Sequence, residues 1–305
     1  MTHPVSPGGV VVGDVVPGGV VLGIDVGGTS VKARLVDADD TVVGDWREAT
    51  PAGDRDASRT VALIAGLVDR ARALGRVDAV GLAIPGIVDE TTGTSVHAVN
   101  LGWHGLPVRD LVAAAIGLPL GFGQDVRVGA LAESTSGAAA GVPGTVAFVP
   151  VGTGLAAAII VDGVPLVAGG WAGETGQVVI AHGPHSGLRV EEIASAGAIA
   201  RRLGVGNARS AAELVRGGDP VASVVWQEAV DVLADSLVWM AAVAAPGTIV
   251  VGGGLAEAGA LLFDPLNAAV DARIGVMRRP SIVPALHGEA AAVIGATYLA
   301  RTALA

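Results

Sequence analysis

From Val20 to Ile24 the chain runs almost wholly apolar, ends at Asp25, turns through Gly27, Gly28 and Thr29, and resumes in alternation at Val31, Ala33 and Leu35. A buried run followed by a period-two pattern across a Gly-Gly turn predicts a β-hairpin, with strands at 20–26 and 30–37. A third strand is predicted at 41–48. The period then changes: Val61, Ile64, Leu67, Val68, Ala71 and Leu74 recur every three or four positions, so a helix opens near Ser58 and stops at Gly75. A buried strand at 79–84 is closed by Pro85-Gly86. An irregular stretch to Leu106, a helix at 108–116, a strand at 118–122 and a helix at 126–140 complete the series.

The same order then begins again. Strands are predicted at 145–151, 155–161 and 164–167, joined by Gly152-Thr153-Gly154 and by the hairpin dipeptide Asp162-Gly163. A long insertion, 168–218, precedes a helix at 221–244, a strand at 248–251, a helix near 261–273, a strand at 281–283 and a final helix at 289–302. Two pseudo-repeats, each with a Gly/Thr turn after its first strand, predict two similar α/β lobes around a central cleft, beyond whose strand ends ligands bind. We place the small lobe at 20–125 with about 289–305, the large lobe at 126–288, and a flexible Gly/Pro/Val-rich leader at 1–19.

Composition narrows the function classes. Charged residues are only 16% of the 305 against 51% hydrophobic, as expected of a packed chain. A net charge of −10 argues against a general nucleic-acid or acidic-membrane surface, so any anion must be bound locally by loops. The absence of cysteine excludes disulfides, thiolate catalysis and Cys-ligated zinc. No stretch reads as a signal peptide, and the apolar run from Leu237 to Ala256 is divided by Pro246-Gly247 and by Gly252, Gly253 and Gly254; the expected location is the cytoplasm, away from membranes.

The Asp25 turn has two readings. Gly27 and Gly28 would let backbone N–H groups converge on phosphate oxygens, and Asp25 beside them makes sense if Mg²⁺ or its water shell intervenes. The alternative is an ordinary Gly-Gly hairpin turn. Lys32 reaches either a phosphate or the solvent.

Several separated motifs together resemble the ROK sugar kinases of the actin-like, hexokinase-like ATPase superfamily, over nearly the whole chain after Gly19. The resemblance implies two actin-like (ribonuclease-H-like) lobes, each a mixed β-sheet with flanking helices. Asp25 to Thr29 matches the family's Asp-x-Gly-Gly-Thr, and Gly152, Thr153 and Gly154 its second phosphate motif; Gly252, Gly253 and Gly254 match the turn near the nucleoside. Pro85-Gly86 followed by Asn100-Leu101-Gly102-Trp103 matches the sugar side, where Asn100 would bind hydroxyls; its local alternative is an Asx turn. Gln124-Asp125 stands at the family's Asn-Asp pair, implying Asp125 as the catalytic base, and Asp125 is by position equally an N-cap.

The chain also departs from the family. Where the pattern has Gly-Glu-x-Gly-His and a cysteine-rich stretch ending in glutamate, this chain reads Gly173-Glu174-Thr175-Gly176-Gln177 and His182 to Glu191. No structural zinc is therefore expected. His182 and His185 alone are a weak metal signal. Glu174 and Glu191 match the sugar-contacting glutamates, with Ser195 at its usual offset; Glu192 competes with Glu191, and both could simply be helix N-terminal carboxylates. Gln124 and Gln177 replace an Asn and a His, so the resemblance implies an ATP- and Mg²⁺-dependent kinase whose acceptor is a hexose, amino sugar, epimer or cyclitol. It leaves polyphosphate open as donor, admits a sugar-binding regulator or a catalytically degenerate protein as alternatives, and implies a homodimer or homotetramer.

Overall fold

The computed structural model describes residues Gly19 to Leu304. The leader at 1–19 lies outside the described residues apart from Gly19. The described residues divide into two compact units, one comprising Gly19–Ala132 with Gly163–Ala172 and Ala290–Leu304, the other Glu133–Asp162 with Gly173–Glu289.

The first unit contains β1 (Val21–Val26), β2 (Ser30–Val36), β3 (Val42–Ala49), α1 (Ser58–Leu74), β4 (Ala79–Ile84), β5 (Ile87–Asp89), β6 (Thr94–Ala98), β7 (Trp103–Leu106), α2 (Val108–Ile116), β8 (Leu120–Gln124) and the start of α3 (Asp125–Thr135). Its main sheet has the order β3-β2-β1-β4-β8, with β1, β4 and β8 parallel and β2 and β3 antiparallel. The segment expected to be irregular before Leu106 is instead a small sheet, β5-β6-β7. Its strands are three to five residues long and carry Asp89, His97 and His104, so neither length nor alternation betrays them. The helix expected at 126–140 begins one residue earlier and stops at Thr135.

The second unit contains β9 (Thr145–Pro150), β10 (Ala158–Val161), α4 (Val190–Ala194), α5 (Ala196–Leu203), α6 (Ala208–Arg216), α7 (Pro220–Ala244), β12 (Thr248–Gly252), α8 (Ala260–Asp271) and β13 (Ser281–Pro284), while β11 (Val164–Pro165), the edge strand of the second sheet, lies in the Gly163–Ala172 segment of the first unit. The chain ends in α9 (Ala291–Thr302), which belongs to the first unit. The second sheet, β11-β10-β9-β12-β13, repeats the order of the first, with β9, β12 and β13 parallel. Each half is thus a mixed sheet with flanking helices, as the resemblance implied. Asp162 and Gly163 both take positive φ, 48° and 82°, as a type I′ hairpin turn requires. The 168–218 insertion supplies α4, α5 and α6. The apolar run after Leu237 resolves into the end of α7, β12 and a turn, and no helix among the described residues is long and apolar enough to cross a membrane.

Packing in the first unit follows from three glycines in register. Gly23, Gly81 and Gly121 are neighbours across β1, β4 and β8. A Cβ at any of them would strike the α9 backbone, at Val293, Ala296 and Leu299 respectively. Their lack of side chains lets α9 lie directly on the strands. On the opposite face Leu22, Ile24 and Leu82 bury against Ile64, Leu67 and Val68 of α1. In the second unit Trp226, Leu233 and Leu237 of α7 cluster with Ile249 and Val251 of β12 and Leu262 and Leu266 of α8.

Candidate functional site

Parallel strands deliver their C-terminal ends to one edge of a sheet, where ligands of such sheets bind. Register aligns Asp25 with Ala83 and Ala83 with Gly123, so the Asp25 turn and Gln124-Asp125 leave the first sheet at the same edge. In the second sheet Gly252 aligns with Pro150, bringing the turns after β9 and β12 together.

The turn after β1 is tightly bound. The Gly27 N–H donates to Ser30 O (2.9 Å), Thr50 N–H to Thr29 O (3.1 Å) and Thr50 Oγ1 to Gly27 O (2.7 Å). Gly27 N–H is therefore spent on the hairpin rather than available to a ligand. Asp25 is 9% exposed, and burial pushes its carboxyl up to about 6 against the opposing field of Lys32. Lys32 is the cross-strand partner of Asp25 and is half-buried, rather than an exposed strand lysine. Its charge is engaged with the carboxylate.

Asn100 sits in the tight turn between β6 and β7. The Gly102 N–H donates to Ala98 O (2.9 Å) and Val99 O (3.3 Å), so the backbone closes the turn without an Asx bond to that N–H. A Cβ on Gly28 would lie 3.1 Å from Asn100 Cβ and 3.4 Å from its Nδ2, which sets the amide against the Asp25 turn. The hairpin is anchored by Trp103, fully buried, whose Nε1–H donates to Asp54 O (2.7 Å).

At the start of α3 the cap is Gln124, not Asp125. Gln124 Oε1 accepts from Arg127 N–H (2.9 Å), while its Nε2 donates to Asp125 Oδ1 (2.7 Å), which also accepts from Val126 N–H (2.8 Å). Gln124 thus fixes the helix start and the carboxylate together. Behind it lies a pair that sequence reasoning missed: Glu90 Oε1 accepts from Gln124 N–H (2.9 Å) and from Arg127 Nε (2.8 Å), and Arg127 Nη2 donates to Val88 O (3.1 Å). Arg127 is 3% exposed. Its position three residues after Gln124, between Val126 and Val128, was the available signal of a buried charge.

The second unit holds the other candidates. After β9, Gly152 N–H donates to Gly154 O (3.0 Å) and Gly197 N–H to Gly152 O (3.2 Å). The 252–254 turn lies against Val151, whose N–H donates to Gly252 O (2.9 Å) and whose O accepts from Leu255 N–H (3.2 Å). Gly253 has φ 76° and a Cβ there would stand 2.5 Å from Val151 O, so only glycine fits. Beside this turn an open hollow is lined by Arg209, Glu213, Arg216, Gly254 and Glu257.

Glu191 and Glu192 separate cleanly. Arg189 draws Glu192 aside through its N–H (2.8 Å) and Nε (3.2 Å), which holds Glu192 below the usual carboxylate range. Glu191 Oε1 accepts from Gln177 Nε2 (2.9 Å), and its Oε2 lies 3.2 Å from the Cβ that Gly154 lacks. Arg189 Nη1 donates to Gln177 Oε1 (3.0 Å), so Arg189, Gln177 and Glu191 form one chain of contacts. Glu174 precedes the short turn that carries Gln177 and is half-buried. Ser195 caps α5, accepting from Ala198 N–H (3.0 Å). His185 Nε2 is 3.6 Å from Glu228, and among the described residues no three His, Asp or Glu side chains are grouped to hold a metal ion.

Comparison with known proteins accords with this arrangement. The profile of the ROK family matches residues 21–303. A glucokinase of Halalkalibacterium halodurans is 27% identical over 82% of this chain and 84% of its own. The bifunctional enzyme NanE/NanK of Brucella suis is 31% identical over 91% of the chain, which spans 52% of that protein. A solved ROK family glucokinase from Streptomyces griseus, in complex with glucose and AMPPNP, superposes with a TM-score of 0.80 at 28% identity, over 93% of this chain and 100% of that one. The family profile spans nearly all the described residues, and the chain belongs to the ROK family.

Proposed function

We propose that this protein transfers the γ-phosphoryl group of ATP to a primary hydroxyl of a hexose or hexose-like polyol. It is a sugar kinase. The observation that carries the reading is the fixed carboxylate of Asp125 at the same sheet edge as the Asp25 turn, with Asn100 set against that turn. Phosphoryl transfer asks chiefly for positioning and charge stabilisation, which such fixed groups supply. In this reading Gln124 holds Asp125, and Asn100, Glu174, Gln177 and Glu191 hold the acceptor. Asp125 orients its hydroxyl; the oxygen bonds to the γ-phosphorus as the bond to the β-phosphate oxygen breaks, ADP departs, and the proton passes to Asp125.

Since the Gly27 and Gly152 N–H groups close their own turns, the amides of Gly28, Thr29, Thr153 and Gly154 take the phosphoryl oxygens in this reading, and the hollow beside Gly254 suits the nucleoside. Asp25 fits a hydrated Mg²⁺: a buried carboxylate whose charge is disfavoured gains from a nearby cation. Mg²⁺ supplies charge neutralisation on the phosphates when bound. Gln177 in place of His, and Gln124 in place of Asn beside Asp125, favour an acceptor that differs from glucose, such as an amino sugar, an epimer or a cyclitol. The test is a screen of these acceptors with ATP and Mg²⁺ by coupled ADP release, repeated with polyphosphate and direct product detection. Turnover of one acceptor is expected; none with either donor would overturn the reading.

A further inference from the structure

The phosphate reading involves two turns, and the cation beside the first of them, Lys32, stands across the strands from Asp25, whose carboxyl feels its field. A polyphosphate chain carries several negative charges, and a protein of net charge −10 must meet them with a local cation. The turn at 152–154 contains none. We infer that Arg201, on α5, is the residue that grips the donor phosphates at this turn; the inference rests on the kinase reading.

Three observations lead there. Gly197 N–H donates to Gly152 O (3.2 Å), which fastens the first turn of α5 to the loop. Arg201 is four residues further along α5 and therefore on the same helix face as Gly197. A Cβ placed on Gly197 would stand 2.7 Å from Thr153 O and 3.2 Å from Arg201 Nη1, so the guanidinium and the Thr153 backbone border the same point. The bare Gly197 surface is what allows the arginine to lie along the turn. Most arginines of this unit are drawn into partners: Arg189 to Glu192, Arg202 to Glu228, Arg209 to Glu257, Arg273 to Asp231 and Asp235. Arg201 is exposed and, among the described residues, makes no hydrogen bond or ion pair; it acts on Glu192 through its field. A guanidinium with all its donors available is suited to phosphoryl oxygens, which it can bridge in pairs.

The experiment is calorimetric titration of wild type, Arg201→Ala and Arg201→Lys with Mg²⁺·ATP, with inorganic tripolyphosphate and with adenosine, alongside donor and acceptor KM. Arg201→Ala should weaken ATP and tripolyphosphate by roughly 10- to 100-fold, the loss of charge-assisted bonds to an anion, and leave adenosine binding and the acceptor KM unchanged. Arg201→Lys should recover part of the loss, since lysine restores the charge without the fork. Unchanged ATP affinity and donor KM in an active Arg201→Ala enzyme would overturn the assignment alone, as would an equal loss for adenosine, which marks a structural role. A wild type that neither turns over nor binds ATP or tripolyphosphate would overturn the kinase reading and this assignment with it.

Discussion

The two sheets share one strand order, yet their edges are held in opposite ways. In the first unit the groups behind the edge are buried: Asp25 and Arg127 are 9% and 3% exposed, and Trp103 is wholly covered. In the second, Gln177 is exposed and Arg189, which ties it to the α4 glutamates, is about half exposed. A duplicated backbone therefore places a glycine turn after the first strand twice, while what surrounds each turn comes from different segments. The first edge is stiffened by interior polar contacts whose loss is expensive; the second is trimmed by surface contacts that can change cheaply. Residues expected to meet the acceptor in the second unit thus stand where sequence can drift without endangering the fold.

The largest expected effect breaks the first edge. Arg127→Met strands the partly buried Glu90 and releases Gln124 N–H's anchor, so urea unfolding should show a loss of about 3–5 kcal/mol, the range for a broken buried pair. Turnover should fall as well, since Gln124 holds Asp125. A stability change near zero would erase the contrast between the edges.

The next effect is pH-dependent. Because burial raises the native Asp25 carboxyl from 3.8 to about 6, the native state keeps a proton that the unfolded chain releases between those values, and stability falls as pH rises through that window. Asp25→Asn should then be more stable than wild type above pH 6, by on the order of 3 kcal/mol, with the difference vanishing below about pH 4. Thermal melts across pH 4–8 in the absence of nucleotide measure it. A constant difference across that range would contradict the raised carboxyl.

The smallest effect on stability sharpens the second edge. Arg189→Ala removes exposed contacts, so the melting temperature should move little, by the equivalent of about 0.5 kcal/mol, while the acceptor KM rises several-fold and the donor KM stays put. A large loss of stability would show that this loop is held as firmly as the first edge.

The parts legible in the sequence were those dictated locally. The 27–29 and 152–154 turns, the Asp162-Gly163 hairpin and the α1 face each follow from a few adjacent residues and their backbone demands. The β5-β6-β7 sheet was not legible because strands this short owe their existence to one another and to the Trp103 anchor. Nor was Glu90–Arg127, whose members are 37 residues apart in the chain. The cap at α3 shows the same limit: the sequence offered Asp125 for the position, and only the geometry of Arg127 N–H assigns it to Gln124. Likewise, the choice between Glu191 and Glu192 depended on where Arg189 points.

In the proposed reaction Asp125 takes the proton of a sugar hydroxyl. This role is tested most directly by Asp125→Asn, assayed for phosphorylated product against wild type with the acceptor that the screen identifies, with nucleotide affinity measured in parallel. Turnover should fall roughly 10²- to 10⁴-fold, with ATP and acceptor binding largely retained. Turnover near the wild-type rate in Asp125→Asn would contradict that role.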